Sequence, residues 1–134
     1  MSDTDSQAAV NGSAAPDPVL TVVIPAFNEA VIIGATLAQV RAAAGRVDGV
    51  VQTIVVDNRS TDATAALARA AGATVIAEQR TGIAYARNAG GLAAAGQTLV
   101  FIDADTVFPA DALARVAAWA CTEDDAGRLP VLPG

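Results

Sequence analysis

Four short runs of β-branched residues, each followed by a helix-length stretch rich in alanine and leucine, constrain this chain more than any other feature. The runs lie at Val19–Ile24, Val50–Val56, Thr74–Ala77 and Thr98–Ile102. The helical stretches lie at Glu29–Ala44, Thr61–Ala71, Ile83–Ala95 and Ala110–Ala120. Near-continuous apolar strands suit a sheet covered on both faces. Strict alternation of strand and helix predicts βαβ units, hence an α/β fold with a mainly parallel sheet.

Boundary residues agree with this pattern. Ser60 or Thr61 is placed to cap the second helix, and Asp62 stands where its charge favours the helix dipole. Gly72 follows the second helix as a stop signal. Pro109 suits the first turn of the fourth helix, with Asp111 just behind it. Trp119, Phe101 and Phe108 read as core, and Cys121 as a small hydrophobe.

Composition removes several function classes. The 134 residues suit one domain, and the net charge of -6 with eight basic residues argues against a nucleic-acid partner. There is no histidine and a single cysteine. Ser-His-Asp and Cys-His catalysis and multi-cysteine zinc sites are thereby excluded within this chain. Acid, base or metal chemistry falls to carboxylates. Residues 1–18 are expected to be a disordered lead-in, 19–121 the folded domain, and 122–134 a C-terminal loop or tail. No stretch is apolar for long enough to span a membrane. The expected location is the cytoplasm, free or peripheral at the inner face of the membrane.

The polar residues fall at strand ends. Asn28 and Glu29 follow the first strand, Asp57 and Asn58 close the second, Arg80 follows the third, and Asp103 and Asp105 close the fourth. In a parallel sheet these positions share the carboxyl edge, where open α/β folds bind ligands. Helix N-termini open there too, and their free N–H groups suit phosphate. If Asp103-Ala104-Asp105 stays extended, both carboxylates point the same way and could face one ion. Hard cations such as Mg2+ or Mn2+ take oxygen ligands and share them with phosphates. An isolated Asp-x-Asp is more often a solvated residue and a cap, but its place at a buried strand end favours the ion. Asp57 fits either a turn that bonds its own backbone or an acceptor for a base N–H. Arg87 and Asn88 fit a solvated helix face as well as a site.

Four segments resemble, in order, the N-terminal half of family 2 glycosyltransferases of the GT-A fold. They are Val22–Glu29 (VVIPAFNE), Val55–Thr64 (VVDNRSTDAT), Gly82–Gly90 (GIAYARNAG) and Phe101–Thr106 (FIDADT). The resemblance implies a Rossmann-like three-layer α/β/α domain that uses a UDP- or GDP-sugar donor, with Mn2+ or Mg2+ as cofactor. It implies inverting transfer to an acceptor, a lipid phosphate or a glycan. Pro25, Phe27, Glu29 and Asp57 would hold base and ribose. Asp103 and Asp105 would hold the ion and the diphosphate, with Arg80, Gly82 and Arg87 beside the nucleotide.

Two departures from the family pattern matter. The second motif often reads Asp-Asp-Gly-Ser, whereas here it is Asp57-Asn58-Arg59-Ser60. A left-handed arginine at 59 would cost about 1 kcal/mol against glycine. The family continues past the Asp-x-Asp motif with acceptor-binding strands and an acidic base, and nothing after Pro109 has that character. The domain therefore reads as truncated after its fourth strand and helix, with no catalytic base assigned. An open sheet edge would invite a partner chain or self-association. A binding or regulatory module that holds a sugar nucleotide without transferring it is the alternative in another class. A nucleotidyltransferase is disfavoured because Ala26-Phe27-Asn28-Glu29 lacks a Gly-rich basic phosphate loop. A dinucleotide fold would need G-x-G-x-x-G there, which is absent.

Overall fold

In the computed structural model, which describes residues 17–107 and 109–126 and side chains through Ala120, the alternating pattern becomes an α/β domain. The strands are β1 (Leu20–Ala26), β2 (Val51–Asp57), β3 (Thr74–Ala77) and β4 (Thr98–Phe101). Between and after them run α1 (Ile33–Ala44), α2 (Thr64–Ala70), α3 (Ile83–Ala93) and α4 (Ala112–Ala126). The sheet is parallel throughout, in the order β3-β2-β1-β4. The chain winds outward from β1 through β2 to β3, then crosses to the other side of β1 for β4. That reversal is the switch point at which such sheets open a crevice.

Period-two alternation divides the core between the two faces. Leu20, Val22, Ile24 and Val55 pack with Ile33, Leu37, Val40 and Ala43 of α1, Ala68 of α2 and Leu113 of α4. Val23, Ile54 and Val56 pack on the other face against Ala86 of α3. All these side chains are buried, which is why β1 and β2 read as continuous apolar runs. Register puts Asp57 level with both Ala26 and Ala77, so the strands reach the carboxyl edge together.

Some boundaries differ from the sequence reading. Helix α1 begins at Ile33 rather than Glu29, because the Glu29 carbonyl first closes a turn by accepting the N–H groups of Ile32 and Ile33. Neither Ser60 nor Thr61 caps α2. Its N-cap is Ala63, without a side-chain cap bond, and Ser60 and Thr61 bond to another loop instead. Helix α4 continues through Ala126, past the boundary expected at 121, because Thr122–Ala126 holds no glycine or proline and the first breaker is Gly127. Phe101 is 42% exposed rather than core, since it lies on the edge strand β4, where the side of α3 that faces it carries the small Gly91. Trp119 is half-buried. The readings of 1–16, Phe108 and 127–134 and of the Cys121 side chain lie outside what is described. No helix among the described residues is long and apolar enough to cross a membrane.

Candidate functional site

The loops that leave the carboxyl edge enclose a cleft of about 780 Å³. The end of β1 contributes Pro25, Phe27 and Glu29, and the β2–α2 loop contributes Asn58, Arg59 and Thr61. Thr81, Gly82 and Ile83 come from the start of α3, and Asp103 and Asp105 from the end of β4. Helix α3 opens onto the cleft with its unpaired N-terminal amides, a disposition suited to phosphate.

Hydrogen bonds between the first two loops fix one wall. The Asn28 backbone N–H donates to Ser60 Oγ at 2.9 Å, and Thr61 N–H donates back to Asn28 Oδ1 at 2.8 Å. Glu29 N–H donates to Thr64 Oγ1 at 2.9 Å, and the Thr64 hydroxyl passes the chain on to Asp62 Oδ1. Asp62 Oδ2 accepts Ala30 N–H at 3.2 Å. These ties hold two left-handed residues in place, Asn28 at φ 52° and Arg59 at φ 69°. The strained arginine is the feature anticipated from the second motif, and its Nη1 donates to Thr81 Oγ1 at 2.8 Å.

Asp62 is the acidic keystone of this wall. The Thr64 hydroxyl, aided by the amides of Thr64 and Ala30, holds its carboxyl below the ordinary aspartate range despite opposing desolvation. A carboxylate depressed by folding contributes stability that is complete above its unfolded value. That contribution is lost as pH falls through the lower folded value. Urea midpoints along an acid series are therefore expected to decline below about pH 4, and to decline less steeply in Asp62→Asn. Parallel profiles for the two proteins would remove Asp62 from the wall.

The opposite wall hangs from α1. The segment 103–105 is not extended: Thr106 N–H donates to the Asp103 carbonyl at 3.0 Å, and Asp103 N–H donates to Thr106 Oγ1 at 3.1 Å. The extended geometry expected from the sequence is replaced by a turn because β4 ends at Phe101 and the chain must double back toward α4. Both aspartates are exposed in the cleft, with buried Ala104 between them. The buried Thr36 hydroxyl donates to the Ala104 carbonyl, and Gln39 Nε2 donates to the Thr106 carbonyl at 3.3 Å. Arg87 Nη2 lies 3.9 Å from Asp103 Oδ1.

Of the residues anticipated from the sequence, Pro25, Phe27, Glu29, Gly82, Asp103 and Asp105 meet in one cleft. Asp57, Arg80 and Arg87 are not among its lining residues. Asp57 Oδ1 accepts Ser60 N–H at 3.1 Å, which is the turn role, while its other oxygen bonds to none of the described residues. Arg80 is clamped by Glu78 through Nε at 3.1 Å and Nη2 at 3.0 Å, and lies 4.5 Å from the Tyr85 ring centre. That grip, first of all the Arg80 side-chain bond, holds the buried Glu78 carboxyl below its usual range. Arg87 reaches the site through Asp103 alone. Arg59, Thr61, Thr81 and Ile83 were not anticipated as lining. Asn58 was visible at a strand end, but its partners were not.

Residues 21–132 match the family model described as Glycosyl transferase family 2. Uncharacterized glycosyltransferases of Mycobacterium tuberculosis and Mycobacterium bovis are 39% identical over 99 residues, which span 74% of this chain and 42% of theirs. Among solved structures, glucosyl-3-phosphoglycerate synthase from M. tuberculosis, in complex with Mn2+, UDP and glucosyl-3-phosphoglycerate, is similar with a TM-score of 0.62. The identity is 30%, over 79% of this chain and 39% of that one. A mannosyltransferase from Pyrobaculum calidifontis, in complex with GDP-Man and Mn2+, gives a TM-score of 0.67 at 31% identity. It covers 78% of this chain and 32% of that one. The chain spans about two-fifths of the length of the curated relatives it matches.

Proposed function

This chain belongs to glycosyl transferase family 2, and from that premise we propose that it provides the nucleotide-sugar-binding half of an inverting, divalent-metal-dependent glycosyltransferase. The observation that carries the reading is the convergence of Asp103 and Asp105 with Pro25, Phe27 and Glu29 in one cleft at the carboxyl edge. The same edge receives the α3 N-terminus, whose amides would meet the donor diphosphate. Asp57 retains one carboxylate oxygen for a base N–H, and Arg80 and Arg87 stand just outside the lining as cations for the nucleotide.

The residues fit a hard cation in part. Among the described residues no group of three or more acidic or sulfur ligands forms a cage. Asp103 and Asp105 would supply two carboxylates, a set suited to an ion that completes its coordination with phosphate oxygens and water. Bound Mn2+ or Mg2+ would stabilise negative charge on the departing diphosphate. Arg87, 3.9 Å from Asp103, would balance that aspartate and stand ready for phosphate oxygens.

Calorimetry with UDP, GDP and their sugar conjugates, with and without Mn2+, tests the reading. Saturable binding that strengthens with Mn2+ is expected, and a folded chain that binds none of these nucleotides sinks it. A binding-only module is the second reading. It is favoured by the cleft lining, whose only carboxylates among the described residues are Glu29, Asp103 and Asp105. With the aspartates on the ion, Glu29 alone among the described lining residues is left to take an acceptor's proton, and its N–H is anchored to Thr64 in the wall facing the aspartates. Acceptor-dependent nucleotide release by the same preparation separates transfer from binding.

A further inference from the structure

Asn58 commits both ends of its side-chain amide to a single loop. Nδ2 donates to the carbonyl of Glu78 at 2.9 Å and to that of Arg80 at 2.8 Å, while Oδ1 accepts Gly82 N–H at 3.1 Å. All three partners lie between β3 and α3. The loop passes directly into the cleft, where Thr81, Gly82 and Ile83 form part of the lining beside Asn58 itself. Gly82 stands at φ +132°, a conformation that side chains rarely adopt, so the loop's path depends on external ties. An amide is the short side chain that can give two hydrogen bonds and accept a third at once.

We propose that Asn58 is a positioning residue for the sugar-nucleotide donor: its amide sets where Thr81, Gly82 and the first turn of α3 stand in the cleft. The proposal rests on the donor-binding reading above. It has a sharp chemical consequence, because the family's second motif often carries aspartate at this position. In this chain an ionised carboxylate there would face two carbonyl oxygens with no proton to give. The charged neighbours are Asp57 and Arg59 on either side and Glu78 and Arg80 in the loop.

The experiment compares the parent with Asn58→Asp by calorimetry, using UDP and GDP in Mn2+. Asn58→Asp is expected to bind about tenfold more weakly near pH 8, the scale of one hydrogen bond left unmade. The ratio of variant to parent affinity should recover as pH falls from 8 to about 4, where a substantial share of the carboxyl is protonated and regains one donor. Asn58→Ala removes the bonds without adding charge; it should weaken binding in the same direction and serves if the aspartate variant fails to fold. Equal affinity in parent and variants, even with a lowered melting temperature, overturns the positioning role. So does an affinity ratio that stays flat with pH. A parent that binds neither nucleotide overturns the donor reading first and this proposal with it.

Discussion

Replacing Gly90 with alanine is expected to cost the domain about 3 kcal/mol of stability or more, the upper range for overpacking a closed core. A Cβ at Gly90 would lie 2.2 Å from Val23 Cγ1 and 3.1 Å from Val56 Cγ2. Both valines are fully buried in strands paired on both sides, so neither can step aside. The relief available is to lift α3 from the sheet, which would also displace the Gly82 end of the cleft. The next residue supplies the control. A Cβ at Gly91 would meet only Leu99 Cδ1 at 3.8 Å and Phe101 Cζ at 3.9 Å, ordinary contacts. Gly91→Ala should be neutral or stabilising by up to about 1 kcal/mol through helix propensity. Urea denaturation of the two variants decides the matter, and equal midpoints would show that α3 does not sit this close.

The second large effect concerns the proposed ion at Asp103 and Asp105. Asp103→Asn with Asp105→Asn is expected to weaken nucleotide binding in Mn2+ by about 100-fold, since losing a direct ligand exceeds the cost of disturbing its supports. Without metal the same variant should bind as the parent does. Its melting temperature should hold, because Asp103 is 60% exposed in its side chain and Asp105 bonds to none of the described residues. Isothermal titration with and without Mn2+ reads all of this. Metal-enhanced binding that survives the double substitution would take both aspartates out of the site.

The contrast between these tests reflects what the chain discloses locally. Strand positions follow from β-branched runs, because burial on both faces leaves a continuous apolar signature. The edge that gathers Glu29, Asp103 and Asp105 follows from parallel winding. The left-handed turn at Arg59, which stands at φ 69°, is suggested only by the resemblance, whose second motif often carries glycine at that place. The ties of Asn58 lie 20 to 24 residues away, and no local pattern announces a bond at that distance. The start of α2 was misread for the same reason: Ser60 and Thr61 look like caps until Asn28, 32 and 33 residues earlier, claims them. Phe101 looks like core by composition, and its exposure depends on where α3 happens to lie.

Thr36 gives the architecture a consequence for how such a domain can change. It is buried within α1, yet its hydroxyl ends on the carbonyl of the residue between the two aspartates. Valine has nearly the same shape and would fill the same space, as an interior ruled by packing alone would permit. Here it would strand a buried carbonyl and loosen the turn that presents both carboxylates. Interior packing and surface chemistry are thus joined at one residue. One hydroxyl in the middle of the fold governs how two exposed carboxylates stand in a cleft it does not line.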